Sequence, residues 1–331
     1  RPGSPDNQSD ATSKRLHRAP PDLGHANRTR RSAQQKIPVR WVIPDPVHLM
    51  SGLVAQSAVP GGLPRPGRTV THVAARQYTS DQVVPVLQRT IDAVGDAIDG
   101  LTAEQLATAS VLSGWSVRDL TAHLVVVADS VCHIEPLPAN AGVLSVSEYL
   151  AGYADRAERI DSLTREAEGE LADIPAAYRE RWDDALARLA AFADVDKVLA
   201  RRGAARLADL VITRVIELVV HADDLARSLP QLQMTAPPPD AERLVTRVLL
   251  DVLATRHPGR TLEVRIPPVA AVQCLPGPRH TRGTPPGVVE TDPRTWVRLA
   301  SGRLGWDQAV EEGLVTASGQ RADLSSFLPL L

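Results

Sequence analysis

The chain has 331 residues, of which 43% are apolar, so it can form two domains with sizeable cores and an additional segment without structure. Aromatic residues make up only 3%, and the cores must therefore be mainly aliphatic. Residues 1–80 carry 12 Lys and Arg against 4 Asp and Glu, a net charge of +8. Because the net charge of the whole chain is −2, that of the remaining 251 residues is −10. This acidic balance argues against a nucleic-acid groove in the folded part.

Residues 1–79 form a basic segment that is rich in Arg, Ser, Pro and Gly and has no sustained period of 2 or 3.6 residues. Such a composition buries too little apolar surface to offset the entropy of ordering, so we predict disorder. A basic tail for an anionic partner and an Arg-rich targeting segment are the alternatives. The chain begins with Arg rather than Met, which fits a fragment or a start placed upstream of the true one.

Apolar residues recur at helical spacing through most of residues 80–232. Ser116 and Asp119 have the Ser-x-x-acid form of a capping box, which predicts a helix from about residue 117. Gly100 and Pro230 are placed to end two other helices. Long helices with short connections predict a bundle of about four helices. Besides the one from 117, the helices are expected over residues 80–99, 102–109, 147–169, 176–192 and 207–229.

Residues 233–331 are predicted to form a small α+β domain after a Pro-rich linker at 235–240. Alternating apolar residues predict a strand at 261–266, and the other strand candidates are 269–275, 288–291 and 314–318. Helices are expected at 241–257, 292–301, 306–312 and 322–328. The predicted fold class is thus α+β, a helical bundle followed by this smaller domain.

Glu217 and His221 stand four residues apart in a helix that is apolar on most sides. Their side chains therefore lie on one face. A buried carboxylate and a buried imidazole are costly unless they are paired or bound to a metal. Taken alone, the pair favours a Glu–His hydrogen bond inside a bundle, with half of a zinc site as the alternative.

His123 is the third candidate ligand, two turns into the capped helix. A lone His on such a face is more often a core residue. A bundle nevertheless brings distant helices together, so His123 can converge with the pair into the His₂Glu set of catalytic zinc, which leaves a fourth position open. Asp129, Asp223 and Asp224 are candidates to orient these ligands, or else solvated helix charges.

Two motifs surround these residues: Gly114-Trp-Ser-Val-Arg-Asp-Leu-Thr-Ala-His123-Leu and, later, Glu217-x-x-x-His221-x-x-Asp224-Leu. Over residues 80–230 the chain resembles the metal-binding domain of the mycothiol-dependent maleylpyruvate isomerase family. That family is actinobacterial and belongs to the DinB-like four-helix metalloproteins. The resemblance implies a DinB-like bundle, mycothiol as thiol cofactor, and metal ligands at His123, Glu217 and His221.

The C-terminal domain shows a second resemblance. Two runs of this domain are similar to bacterial sterol-carrier-like domains. The first is Val272-Gln-Cys-Leu-Pro-Gly-Pro-Arg279 with its continuation to Arg303, and the second is Ala317-Ser-Gly-Gln-Arg-Ala-Asp-Leu324. This implies a curved sheet with helices, which in related sterol carriers encloses a lipid cavity. Trp296 and Trp306 are predicted to fill its core.

The loop Arg279-His-Thr-Arg282-Gly283 provides the candidate catalytic residues Arg279 and Arg282. Two guanidinium groups can clamp a carboxylate or phosphate bidentately, and a solvated, Pro-bounded loop is the alternative. Cys274 is either a buried strand residue, the default, or a reactive thiol. The last eight residues contain no counterpart of the isomerase's catalytic arginine, so the substrate stays unassigned.

Two functions follow from these observations. The first is a zinc- and mycothiol-dependent isomerase or transferase, with nickel, iron or manganese as other possible metals and an acidic substrate held by Arg279 or Arg282. The alternative is a protein that binds a lipid or other apolar ligand and has a structural or vestigial metal site. For either we expect a monomer with reduced thiols in the cytoplasm, without a membrane span or nucleic-acid partner.

Overall fold

The computed structural model of the chain describes residues 75–152, 156–234, 236–277 and 287–331. The predicted disordered segment at 1–79 lies outside these residues except for its last five. The helices among them are α1 (Ser80–Asp99), α2 (Ala103–Ala107), α3 (Val117–Cys132), α4 (Val146–Ala151), α5 (Ala157–Glu170), α6 (Ile174–Ala191), α7 (Leu207–Ser228), α8 (Pro239–Arg256), α9 (Pro293–Ala300) and α10 (Trp306–Glu311).

The long helices α1, α3, α6 and α7 form a four-helix bundle, in which each helix packs against two others. α5 covers the outside of α3. The start of α3 is the predicted capping box: the amide of Asp119 donates to Ser116 Oγ (3.1 Å), and the amide of Ser116 donates to Asp119 Oδ2 (2.8 Å). The predicted bundle and the start of its second long helix are therefore confirmed.

The predicted helix at 147–169 is wrong in its continuity, because the chain forms two helices there. α4 ends at Ala151, before Gly152, and α5 begins at Ala157, with residues 153–155 outside the described part of the chain. Gly152 follows the last turn of α4 with φ −80° and ψ 6°. The apolar period on either side of it gave no sign of the interruption.

A small antiparallel sheet lies beside the bundle and was not predicted. Its strands are β1 (Glu135–Pro136), β2 (Lys197–Ala200) and β3 (Gly203–Arg206), in the order β1-β2-β3. β2 and β3 form a hairpin in which Ala200 pairs with Gly203. Strands of two to four residues are too short to show an alternating pattern.

The C-terminal part is a four-stranded sheet in the order β5-β4-β6-β7, with helices packed on it. Its strands are β4 (Leu262–Ile266), β5 (Ala270–Cys274), β6 (Gly287–Thr291) and β7 (Val315–Gly319), and all four were predicted. β4 pairs in parallel with β6, and the other two pairings are antiparallel. Trp296 is fully buried in the core, as expected, and Trp306 packs against it half-buried.

The predicted helix at 322–328 is wrong, because only a 3₁₀ turn, Ser325–Phe327, forms there. The Asp323 carboxylate accepts from the amide of Ser325 (2.8 Å), which starts the turn. Leu328 is extended, with φ −117° and ψ 152°. Pro329 explains this, since a residue before proline is disfavoured in the helical region.

α8 connects the two halves of the molecule. It packs against α7 and α1 of the bundle as well as against α9 and β5. Two ion pairs add to this interface. Arg298 pairs with Asp223 and Arg303 pairs with Asp224, and both aspartates lie near the end of α7. The C-terminal sheet and helices are thereby held against the end of α7. Among the described helices, none is long and apolar enough to span a membrane.

Candidate metal site

Adjacent helices of the bundle bring His123, Glu217 and His221 together. His123 lies in the second turn of α3, while Glu217 and His221 lie one turn apart on α7, which packs against α3. One donor atom from each residue lies within 4.8 Å of the others. All three residues are buried, with 6%, 8% and 6% of their surface exposed. The predicted convergence of the three residues is therefore present in the fold.

The distances between these groups fit metal ligands better than a hydrogen-bonded pair. Glu217 Oε2 lies 3.6 Å from His123 Nε2 and 3.4 Å from His221 Nε2. A hydrogen bond to nitrogen usually spans about 2.7–3.2 Å. In contrast, ligand atoms around a tetrahedral zinc ion with bonds of about 2.0–2.2 Å are about 3.4 Å apart. The donor set and its spacing are thus suited to one divalent ion.

Both imidazole rings have their other nitrogen turned toward a polar group. His221 Nδ1 lies 2.9 Å from Asp224 Oδ2, and Asp224 is completely buried. His123 Nδ1 lies 3.4 Å from the hydroxyl of Thr164 on α5, a weaker contact. These partners direct the Nε2 atoms of both rings toward Glu217. Carboxylate–histidine pairs of this kind commonly orient metal-binding histidines.

The three aspartates that were candidate orienters have different roles. Asp224 contacts His221 and also accepts from Arg303, at 3.0 Å from Nη2 to Oδ2. Asp223 instead forms a two-bond ion pair with Arg298, at 2.8 and 2.7 Å. Asp129 lies near Arg181, with 3.7 Å between Nε and Oδ1. Asp224 alone of the three contacts a candidate ligand.

Burial and the neighbouring groups shift the pKa values of the three candidate ligands in different directions. Burial raises the pKa of Glu217, but the two facing histidine rings outweigh it and hold the pKa well below its usual value. Burial lowers the pKa of His221, but Asp224 and Glu217 outweigh it and raise the pKa. At His123 burial prevails, and the pKa is lowered. Glu217 is therefore an ionised carboxylate between one ring that favours a proton and one that resists it.

Sequence reasoning missed several residues around the site. The ring of Trp115 lies 5.4 Å from that of His123, and Arg202 Nη2 lies 4.0 Å from Glu217 Oε1. Thr164 and Arg303 also reach the site through the ligands they contact. Trp115 stands within the motif before His123, which was a usable signal. The other three come from separate parts of the chain, and no local pattern indicates them.

The candidate catalytic residues Arg279 and Arg282 lie in 278–286, outside the described residues. Their role stays a prediction. Cys274 is buried in β5, and burial raises the pKa of its thiol to about 12. Burial likewise raises the pKa of Cys132 to about 11. Both thiols are therefore protonated at neutral pH, which agrees with the structural interpretation of Cys274.

Comparisons with known proteins agree with both halves of this architecture. Residues 87–226 match the model of the mycothiol maleylpyruvate isomerase N-terminal domain, and residues 240–330 match that of the bacterial SCP ortholog. Among solved structures, the chain is similar to the mycothiol-dependent maleylpyruvate isomerase (18% identity, TM-score 0.45) and to a histidine-to-alanine mutant of it (18%, 0.40). Each of these two matches covers 72% of this chain and 92% of the solved chain. A search of curated proteins gave no significant match.

Proposed function

We propose that this chain, which joins a domain of the mycothiol maleylpyruvate isomerase N-terminal family to a bacterial SCP domain, is a metal- and thiol-dependent isomerase or transferase. Zinc is the proposed metal, and mycothiol the proposed thiol. The observation that carries the proposal is the buried set of two imidazole nitrogens and one carboxylate oxygen, spaced as ligands of one ion. Three protein ligands leave one position for a small molecule.

The residues of the chain have distinct parts in this proposal. His123, Glu217 and His221 would hold the ion, and Asp224 fixes the ring of His221. When bound, the ion lowers the pKa of a coordinated thiol, which supplies a thiolate nucleophile at neutral pH. The ring of Trp115 lies 5.4 Å from that of His123 and would form one wall of this position. The burial of all three ligands strengthens electrostatic interactions within the site.

The substrate class that suits this chemistry is an electrophilic small molecule. Addition of a thiolate to an activated double bond permits cis–trans isomerisation, and retention of the thiol in the product gives transfer. We propose that the substrate is acidic, and the predicted clamp of Arg279 and Arg282 on residues 278–286 would be a partner for it. The particular substrate stays unassigned, because the C-terminal residues depart from the isomerase.

The alternative function, binding of a lipid or other apolar ligand, has less support. Between the C-terminal sheet and its helices the interior is occupied by the chain's own side chains, all buried in one continuous core. They include Leu262, Val264, Ile266, Val289, Trp296 and Leu299. A cavity for an acyl chain at this place requires these residues to move apart, at the cost of their packing.

Native mass spectrometry and a turnover assay together separate the two functions. The protein is purified without chelator, and electrophilic unsaturated acids are then offered with mycothiol or, as a control, with no thiol. Bound zinc and turnover that requires the thiol are expected. A co-purifying lipid without thiol-dependent turnover would support the alternative instead. His123→Ala and His221→Ala should lose both the metal and the turnover.

A further inference from the structure

The indole of Trp115 is held beside the candidate metal site by a carboxylate of α5. Its Nε1 donates to Oδ1 of Asp161 at 2.7 Å. The indole ring lies 5.4 Å from the ring of His123, with an angle of 52° between the two planes. An indole has one hydrogen-bond donor and no acceptor, so a single bond of this kind limits the directions in which the ring can lie. Trp115 is half-buried, which leaves part of the indole accessible.

Asp161 is itself held by Arg165, one turn later on α5. Nε of Arg165 donates to Oδ2 of Asp161 at 3.1 Å, and its Nη2 donates to the carbonyl of Gly114 at 3.2 Å. The hydrogen bonds from Trp115 and Arg165 hold the pKa of Asp161 below its usual value, so this carboxylate is ionised at neutral pH. Ion pairs as exposed as this one add little to the stability of a fold. What the pair fixes is the place of the indole.

The backbone of Trp115 is fixed as well. Its amide donates to the carbonyl of Leu112 at 3.0 Å, and its carbonyl accepts from the amide of Ser110 at 2.8 Å. The turn from Leu112 to Trp115 has Gly114 at its third position, with a φ of +79°. That position of such a turn favours glycine, because other residues rarely adopt a positive φ. The main chain and the side chain of Trp115 are therefore both held.

The same face of α5 also contacts a candidate metal ligand. Thr164 stands three residues after Asp161 and one before Arg165, a spacing that places all three on one side of a helix. Its hydroxyl lies 3.4 Å from Nδ1 of His123. One helix face thus contacts both the ring of His123 and the indole beside it.

We propose that Trp115 is a specificity-determining residue, whose indole packs against a flat apolar part of the molecule bound at the open metal position, and that Asp161 is the positioning residue that orients the indole. This inference rests on the proposed function, because the open position requires the metal. Aromatic faces attract other rings in offset or edge-to-face arrangements. The two charged residues of α5 act through Trp115 rather than on the reacting atoms.

NMR spectroscopy of the metal-free protein tests the positioning role. The chain contains five tryptophans, and Trp115→Leu identifies one indole N–H resonance by its loss. Asp161→Ala should shift this resonance and weaken the nuclear Overhauser effect between the rings of Trp115 and His123. Asp161→Asn should have a smaller effect, because its amide oxygen still accepts a hydrogen bond. Glu166→Ala removes an exposed carboxylate of the same helix and should leave the resonance in place.

Calorimetric titration of the zinc-loaded protein with two thiols of similar acidity tests the specificity role. Benzyl mercaptan has an aromatic ring next to its thiol group, and 2-mercaptoethanol has none. We expect wild type to prefer benzyl mercaptan. Trp115→Leu should weaken binding of benzyl mercaptan about three- to tenfold, which corresponds to one aromatic contact, and leave 2-mercaptoethanol unchanged. Asp161→Ala should show part of this loss, and Glu166→Ala should show none.

Two results would overturn the inference. One is an unchanged Overhauser effect in Asp161→Ala, and the other is an equal loss of both thiols in Trp115→Leu, which would mean that the indole acts only through His123. Trp115→Tyr keeps a smaller aromatic ring and replaces Trp115→Leu if that variant does not fold. Wild type that retains no zinc, or that binds neither thiol when loaded, would instead contradict the proposed function. The spectra of the metal-free protein would still decide the role of Asp161.

Discussion

Nδ1 of His221 lies 2.9 Å from Oδ2 of Asp224, and the same carboxylate oxygen lies 3.0 Å from Nη2 of Arg303. Asp224 is completely buried, so both contacts act at low dielectric. Burial raises the pKa of Asp224, but the His221 ring and the Arg303 guanidinium outweigh it and lower the pKa. A residue of the C-terminal part is thereby connected through one carboxylate to a candidate metal ligand.

Asp224→Asn should weaken zinc binding about 10- to 100-fold, the usual cost of losing a carboxylate behind a metal-binding histidine. The neutral amide no longer holds the His221 ring as a strong acceptor does. Competition with a chromophoric chelator measures the affinity. Thr164→Val, which removes the longer, uncharged contact to His123, should have a smaller effect. Equal affinities of Asp224→Asn and wild type would contradict this account.

Arg303→Gln should also weaken zinc binding, by less than Asp224→Asn, because Asp224 keeps its charge but loses a partner that positions it. Arg298→Gln is the matched control: it breaks the neighbouring ion pair with Asp223, which contacts no candidate ligand. Zinc affinity is measured for both by chelator competition, with thermal unfolding to verify folding. An equal loss in the two variants would place the effect in the interface rather than at His221.

In the metal-free protein, the pKa values of His123 and His221 should lie on opposite sides of the ordinary histidine pKa. Burial lowers the pKa of both rings, but at His221 the carboxylates of Asp224 and Glu217 reverse the shift. An NMR titration is expected to show His221 above 6.5 and His123 below it. Identical titration of the two rings would mean that Asp224 does not act on His221 as the geometry indicates.

These directions determine how pH affects stability and metal binding. The raised pKa of His221 contributes stability that is fully present below 6.5 and is lost as the pH rises through its folded-state value. His123 acts oppositely: below 6.5 the unfolded ring takes up a proton that the buried ring resists, so stability falls. Zinc needs both rings neutral, and its affinity should increase as the pH rises through the pKa of His221.

Local patterns were sufficient for most of the fold. Helix periodicity and the Ser116–Asp119 cap predicted the bundle, since both depend on residues within a few turns of each other. All four strands of the C-terminal sheet were predicted, the one at 261–266 from its alternation. The β1–β3 sheet was missed, because its strands are too short for a pattern. The helix at 322–328 was wrong because the extended residue before Pro329 prevails over apolar spacing.

The residues of the candidate site were likewise predicted only where a local sequence pattern indicates them. His123, Glu217 and His221 were identified because two stand at helical spacing and the third belongs to a motif. Asp224 was among the named orienters, but its buried position could not be distinguished from a solvated one. Arg202 and Arg303 could not be predicted, because a hairpin and a second domain bring them near the site. Such contacts depend on packing between distant segments rather than on neighbours in sequence.

Elemental analysis of the purified protein, prepared without chelator, tests the metal site most directly. Wild type should contain about one divalent ion per chain, and Glu217→Gln, which keeps the shape but removes the anionic ligand, should lose most of it. Glu263→Gln, on β4 outside the site, is the control and should keep the ion. A wild type without metal, or Glu217→Gln with undiminished metal, would contradict the claim that His123, Glu217 and His221 form a metal centre.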